Sequence, residues 1–127
     1  MKKKEAIARW VDQAKRDVQT ASDLFATGHY DWCLFMWHLA IEKSLKAKMI
    51  AQDKPPLYIH DLTRLAKETD IPLSSESISH LNEISAYNIE ARYDNIKFAF
   101  YKKATKEYAT KWVSICKDIY TQINKNI

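Results

Sequence analysis

The stretch "WCLFMWHLAIEKSLKAKMI", residues 32–50, decides the fold of this chain. Its first half is apolar on almost every side, and a helix with that pattern must be covered by other helices. In the second half, Ile41, Leu45 and Met49 continue an apolar stripe at helical spacing. We therefore predict a helix over residues 32–52 at the centre of the domain.

Charged residues interrupt the second half of this stretch. His38, Glu42 and Lys46 recur every fourth residue, which places them in one row on a helix, and Lys43 lies beside them. Two interpretations stay open. The row is either a solvated helix face, where a Glu–Lys pair is worth only about 0.2–0.5 kcal/mol, or it faces a ligand cleft or a dimer interface.

The flanking sequence predicts further helices on both sides of the central one. Residues 3–26 carry one apolar stripe, Gly28 is a natural stop, and Asp31 is a candidate N-cap for the next helix. Pro55 and Pro56 cannot continue the central helix.

Beyond the proline pair, the pattern favours a short helix within residues 58–70 and a fourth one after a serine cap in residues 71–88. Residues 89–97 are predicted to be a connector. From Tyr101 onward, packing residues recur in regular steps of four and three, which predicts the last helix. We expect an all-α fold, an up-and-down bundle of four to five helices, as one domain over residues 1–127.

Composition excludes several classes of protein. The 127 residues include one glycine, so neither of the glycine-rich phosphate-binding loops can be present. The four histidines show no metal-ligand spacing, and Cys33 and Cys116 lie in apolar helical patterns typical of small buried side chains. We predict no metal, no cofactor and no membrane span, and the lack of a secretory signal indicates a cytoplasmic protein.

Charge is distributed unevenly along the chain. The net charge is +4, but residues 97–127 carry seven lysines against two acidic residues, whereas residues 51–96 are acidic. Basic segments can attract nucleic acid, and solvated helix faces explain the same pattern.

Several short motifs follow one another in a familiar order. They are W-x3-A-x2-D-x3-A-x2-L from Trp10 to Leu24, G-x-Y at Gly28, H-x-A-x-E-K-x-L-K-A from His38 to Ala47, HDL-x2-LA at His60, and ARY at Ala91. Together they resemble the HEPN domain family over nearly the whole chain. The resemblance implies a helical bundle that usually forms a homodimer. It also implies a link to nucleotides or RNA, and frequently a minimal nucleotidyltransferase as partner in a toxin–antitoxin-like system.

The ribonuclease members of that family carry R-x(4–6)-H, in which arginine and histidine act on the phosphodiester. Arg92 looks like the motif arginine, but the possible histidine positions hold Lys97, Phe98 and Ala99. The usual catalytic pair is therefore absent, and we predict no catalytic residue and a non-catalytic nucleotide- or RNA-binding module. Two alternatives stay open: a metal-independent ribonuclease using Arg92 with His60 or His38, and a purely structural adaptor.

The resemblance and the chemistry of the side chains give one set of candidate ligand-binding residues: Arg92, Tyr93, His60, Asp61, His38, Glu42, Lys43 and Lys46. A guanidinium suits phosphate, and an exposed tyrosine can stack on a base. Structural roles stay open beside these. Arg92 can instead pair with Asp94 or Glu90, Tyr93 can fill the core, and Asp61 with His60 can cap and pack against a helix.

Overall fold

The computed structural model describes residues 2–127, so residue 1 of the predicted domain lies outside the described residues. All regular secondary structure in this range is helical, and the predicted all-α bundle is confirmed. There are four long helices and two short ones: α1 (Lys3–Ala26), α2 (Tyr30–Ala51), α3 (Leu62–Lys67), α4 (Ser75–Glu90), α5 (Lys97–Lys103) and α6 (Lys106–Lys125).

Helix α2 is the centre of the bundle, as its apolar sequence predicts. It contacts each of the other five helices, and twelve of its 22 residues are buried. Ile41, Leu45 and Met49 all lie in the core. Cys33 and Cys116 are free thiols buried in the same core, and burial raises the pKa of Cys33 to about 12. A thiol that stays protonated is inert, so both cysteines act as small apolar side chains.

Local signals set most helix ends. Gly28 takes the left-handed conformation, with φ of 81°, just after α1, where a side chain would be strained. The Ser74 side chain caps α4 by accepting a hydrogen bond from the Ser77 backbone N–H at 3.0 Å. The predicted cap at Asp31 is wrong. Helix α2 begins two residues earlier than expected, at Tyr30, and its N-cap is His29.

The last predicted helix is in fact two helices. Ala104 leaves the helical conformation, and the Thr105 side chain caps α6 by accepting from the Tyr108 backbone N–H at 3.2 Å. Thr105 therefore caps the start of α6, and the regular helical spacing that begins at Tyr101 does not belong to one continuous helix. Tyr101 belongs to the separate helix α5, and 60% of it is exposed.

A polar network joins α4 to α5 and α6 near their ends. The Tyr108 hydroxyl donates to the Glu83 carboxylate and accepts from the Tyr87 hydroxyl at 2.9 Å. Lys103 Nζ lies 2.9 Å from the same Glu83 carboxylate. Burial and the hydrogen bond to Glu83 raise the pKa of Tyr108, so its hydroxyl keeps its proton as the donor.

No helix within residues 2–127 is long and apolar enough to cross a membrane.

The central helix gives a direct test of the fold. Leu45→Ala removes a fully buried side chain, and we expect the free energy of unfolding to fall by about 2–5 kcal/mol. Leu39→Ala is the matched control, because Leu39 is a half-buried leucine of the same helix outside the core cluster. Urea unfolding followed by circular dichroism measures both, and an equal loss in the two variants would contradict the central position of α2.

Candidate functional site

The charged row of α2 is buried rather than solvated. His38 is 0% exposed, Glu42 4% and Lys46 6%. The sequence places the three residues in one row, and the structure agrees, since both neighbours lie next to the Glu42 carboxylate. A buried carboxylate is costly unless charged and hydrogen-bonded partners compensate for lost water. The arrangement around Glu42 supplies that compensation.

Each oxygen of the Glu42 carboxylate has a partner. Lys46 Nζ donates to Oε2 at 3.2 Å, and His60 Nδ1 donates to Oε1 at 2.7 Å. His38 Nε2 lies 3.7 Å from the same Oε1. His60 precedes α3, so Glu42 connects the central helix to the segment that leads into α3. Lys46 also lies 5.6 Å from the centre of the Trp10 ring, which extends the same arrangement to α1.

His38 is a neutral buried imidazole. Its Nε2 lies 3.2 Å from the backbone carbonyl of His60, and because a carbonyl only accepts, this nitrogen carries the hydrogen. Nδ1 then keeps a lone pair, and it is buried without a hydrogen-bond partner among residues 2–127. Burial lowers the pKa of His38 below its ordinary value of 6.5, and this outweighs the raising effects of the His60 carbonyl and Glu42.

Lys43 lies apart from this row, against α1. Its Nζ is 2.7 Å from Oδ2 of Asp17, a residue that is 9% exposed. Sequence reasoning missed Asp17 as a partner for α2. The signal was present, because Asp17 stands between Ala14 and Ala21 on the buried side of α1, where a carboxylate needs a cation. The pair joins α1 to α2.

His60 and Asp61 have different environments. The Asp61 side chain caps α3 by accepting from the Thr63 and Arg64 backbone N–H groups at 3.1 and 3.3 Å. The helix-capping role that the sequence left open for Asp61 is therefore present in the structure. The His60 side chain is 54% exposed, so it is not a packed core imidazole. Because its Nδ1 donates to Glu42, the neutral ring keeps a lone pair on Nε2, and this nitrogen makes no hydrogen bond within the described residues.

Arg92 does not pair with a carboxylate among residues 2–127. Its Nε donates to the Asn88 backbone carbonyl at 2.8 Å, and one terminal nitrogen donates to Asn88 Oδ1 at 3.1 Å. Lys97 lies 3.4 Å from Asp94, and Lys103 lies 3.7 Å from Glu90. Lys97 and Lys103 therefore lie next to Asp94 and Glu90, the two acidic residues that the sequence suggested as partners of Arg92.

The Arg92 guanidinium lies near two aromatic rings. Its central carbon is 5.8 Å from the centre of Phe35 and 5.9 Å from that of Tyr93. Tyr93 is 53% exposed and does not fill the core. The rings restrict the guanidinium while leaving it at the surface. Arginine is suited to this arrangement because its planar group stacks on aromatics and still offers N–H donors at its edge.

A surface cavity of about 350 Å³ lies between His60 and the residues that orient Arg92. It is lined by His60, Asp61, Asn82, Ser85, Ala86, Asn88 and Ile89. The Ser85 hydroxyl accepts from the Leu62 backbone N–H at 2.9 Å, which fixes α4 against the start of α3. Sequence reasoning did not single out Asn82, Ser85 or Asn88, because polar residues of one helix face carry no sign of a cavity until α3 lies beside them.

The structure thus divides the predicted set in two. His60, Asp61, Arg92 and Tyr93 are exposed, and the first two line the cavity, while His38, Glu42 and Lys46 are buried and Lys43 pairs with Asp17 of α1. Ligand contact by any of them stays a prediction. The arrangement offers hydrogen-bond donors, one unpaired guanidinium and one oriented imidazole. No cluster of three or more His, Cys, Asp or Glu side chains that could hold a metal ion occurs in residues 2–127.

A family model described as the HEPN domain matches residues 7–126, which is almost the whole chain. The chain belongs to the HEPN domain family. The recognition made from its short motifs is confirmed.

Two solved structures share this HEPN fold. TT1696 from Thermus thermophilus superposes with a TM-score of 0.84 at 19% identity, over 95% of this chain and 98% of that one. ST0689, described as an archaeal HEPN homologue, gives a TM-score of 0.75 at 18% identity, over 94% and 95%. At such identities the likeness supports the fold alone. No curated protein matches the chain.

Removing the charge of the Glu42 carboxylate should be strongly destabilising. Glu42→Gln leaves the buried Lys46 ammonium without a counter-charge, and we expect the free energy of unfolding to fall by about 3 kcal/mol. Glu42→Gln with Lys46→Met should recover part of that loss, because no unpaired charge is then buried. Glu76→Gln, on the exposed first turn of α4, is the control. Equal stability of Glu42→Gln and the control in urea unfolding would contradict this role.

The neutral state of His38 predicts a pH dependence. The folded protein binds a proton at His38 less readily than the unfolded chain, so stability is complete above about pH 6.5 and falls as the pH drops towards the lowered pKa. His38→Gln retains a donor and cannot titrate. Thermal unfolding from about pH 7.5 to pH 5 should show a smaller loss of stability in the variant than in the native protein. Parallel curves would mean that His38 is not the group responsible.

Proposed function

We propose that this HEPN domain is a non-catalytic module that binds a nucleotide or RNA at the cavity lined by His60 and Asn88, with Arg92 held beside it by Asn88. One observation carries the proposal. Arg92 is an exposed guanidinium, oriented by Asn88 and two aromatic rings, with no carboxylate partner among the described residues. A cation fixed in this way and left without a counter-charge is suited to an anionic ligand.

The geometry of Arg92 supports a phosphate as that ligand. A guanidinium has five N–H donors, and Asn88 uses two of them. The remaining donors share one plane, which matches the geometry of phosphate oxygens. Tyr93 next to Arg92 is an exposed ring that can stack on a base. Asn82 and Ser85 add amide and hydroxyl groups to the cavity, which suit the polar edges of a base or a ribose.

The sequence favours binding over cleavage. The positions where the ribonuclease motif would place its histidine hold Lys97, Phe98 and Ala99. Without a histidine beside Arg92 in the chain, the usual proton-transferring group of that motif is missing.

A ribonuclease is the second candidate, and one observation favours it. Glu42 fixes Nδ1 of His60 as a donor, so the exposed ring presents Nε2 as a base near the cavity. A carboxylate–imidazole pair of this kind is the arrangement that orients a general base in many enzymes. His60 would then accept the proton of a 2′-hydroxyl whose oxygen bonds to phosphorus, while the bond from phosphorus to the 5′-oxygen breaks and that oxygen takes a proton from water. Arg92 would stabilise the negative charge on the non-bridging phosphate oxygens.

Partners follow from the family and not from this geometry. HEPN domains usually form homodimers, and many pair with a minimal nucleotidyltransferase in a toxin–antitoxin-like system. We extend both associations to this chain as proposals. Co-expression with a nucleotidyltransferase encoded beside it, followed by size-exclusion chromatography with light scattering, tests both. A stable complex that contains two copies of this chain is the expected result.

Binding and cleavage can be separated in one experiment. Labelled single-stranded RNA and nucleoside monophosphates are titrated with the native protein, Arg92→Ala, His60→Ala and the control Arg64→Ala, with fluorescence anisotropy as the readout. Arg64 is an exposed arginine of α3 that lies outside the cavity lining. We expect Arg92→Ala to weaken binding about tenfold or more, because a charge-assisted contact is lost, and Arg64→Ala to leave it unchanged.

The same mixtures are resolved on a denaturing gel. Intact RNA in every lane agrees with the non-catalytic proposal. RNA cleaved by the native protein but not by Arg92→Ala or His60→Ala would replace that proposal with the ribonuclease. Absence of any binding by the native protein would leave the structural adaptor.

A further inference from the structure

The cavity beside Arg92 contains a carboxylate, which a site for phosphate alone would not need. Asp61 is part of its lining, and no lysine or arginine is. Because a carboxylate repels a phosphate group, the phosphate of a nucleotide is best placed at Arg92 and outside the cavity. The cavity is better suited to the uncharged part of the nucleotide, the base with its N–H groups and its oxygen and nitrogen acceptors.

One oxygen of the Asp61 carboxylate is available to a ligand. Oδ1 accepts from the Thr63 and Arg64 backbone N–H groups, whereas Oδ2 makes no hydrogen bond or ion pair among the described residues. The Asp61 side chain is also exposed. A carboxylate oxygen only accepts, and its hydrogen bonds to N–H groups are of the strong, charge-assisted kind. Asp61 therefore favours a ligand edge that carries N–H donors.

Two asparagines supply the complementary donors. Their side-chain oxygens are already in use, since Asn88 Oδ1 accepts from Arg92 at 3.1 Å and Asn82 Oδ1 accepts from the Thr63 hydroxyl at 3.0 Å. Neither Nδ2 amino group makes a hydrogen bond within residues 2–127, and an amide nitrogen only donates. Both side chains line the cavity, so each offers a ligand a donor and not an acceptor.

We propose that this cavity recognises the base of the bound nucleotide and selects guanine. The inference rests on the proposed function and specifies the base that the site takes. Guanine carries two adjacent donors, N1–H and the N2 amino group, next to the O6 acceptor. Asp61 Oδ2 accepts from the two donors, an asparagine amino group donates to O6, and the phosphate contacts Arg92.

The other bases complement these groups less well. On the same edge, adenine and cytosine place a ring nitrogen acceptor beside their one amino group, and uracil has a single ring N–H between two oxygen acceptors. Each of these edges would bring an acceptor lone pair towards the Asp61 oxygen, which has no hydrogen to donate. Guanine is the base that offers this oxygen two donors side by side.

The test compares nucleotides that differ only in the base. Guanosine, inosine, adenosine and xanthosine monophosphates are titrated into the native protein by calorimetry. Inosine lacks the N2 amino group, and xanthosine carries an oxygen in its place. We expect the guanosine nucleotide to bind about tenfold more tightly than the adenosine and xanthosine nucleotides, with the inosine nucleotide between them, because a carboxylate left without its N–H donor costs binding free energy.

Asp61→Asn reverses the chemistry of the available oxygen and keeps the helix cap. Asparagine caps a helix about as well as aspartate does, so urea unfolding should match that of the native protein. The amide nitrogen then replaces Oδ2 and donates where the native atom accepts. We expect the guanosine nucleotide to bind about tenfold more weakly and the xanthosine nucleotide to become the preferred of the two.

The matched control is Asp118→Asn, which removes the same charge from an exposed aspartate of α6 outside the cavity lining. It should retain the preference of the native protein for the guanosine nucleotide. Because both variants change the net charge equally, a change of preference in Asp61→Asn alone is a local effect of the cavity.

Three results would overturn the inference. Binding that is lost in Arg92→Ala but shows no preference for guanine would refute the selection of the base and keep the proposed function. A guanine preference that is the same in Asp61→Asn would show that Asp61 does not contact the base. If the native protein binds none of the four nucleotides, both the inference and the proposed function are wrong.

Discussion

The buried carboxylate of Glu42 is the interaction on which the site depends. It lies on the central helix, where a negative charge is costly, and it is compensated by Lys46 from the same helix and by His60 from the segment before α3. Removing Lys46 leaves an uncompensated negative charge in the protein interior, and removing His60 leaves one carboxylate oxygen without its hydrogen-bond donor. This requirement fixes the position of His60, which in turn fixes one side of the cavity.

This arrangement explains a family motif in physical terms. In H-x-A-x-E-K-x-L-K-A, the histidine, the glutamate and the last lysine form one buried group, and the other lysine pairs with Asp17 of α1. The motif therefore positions α1 and the start of α3 around α2. His60 and Arg92 lie on the surface that this framework supports.

The sequence predicts the framework better than the site. The apolar residues of α2 indicate a central helix, because so little of their surface can face water. The burial of Glu42 is not predictable from α2 alone, since the compensating His60 lies 18 residues away and is brought near only by the tertiary fold. Likewise Arg92 has two acidic residues nearby in sequence, but both lie next to lysines of α5. The residues on both sides of Thr105 have helical spacing, so the sequence did not indicate that the Thr105 side chain caps a new helix.

The tautomers of His38 and His60 test the central claim most directly. Long-range ¹H–¹⁵N correlation spectra of the imidazole rings, at about pH 8 where histidines are usually neutral, identify the nitrogen that carries the hydrogen. We expect hydrogen on Nδ1 of His60, donated to Glu42, and on Nε2 of His38, donated to the His60 carbonyl. Hydrogen on Nε2 of His60 would contradict it, because Glu42 would then lack the partner that connects the central helix to the site.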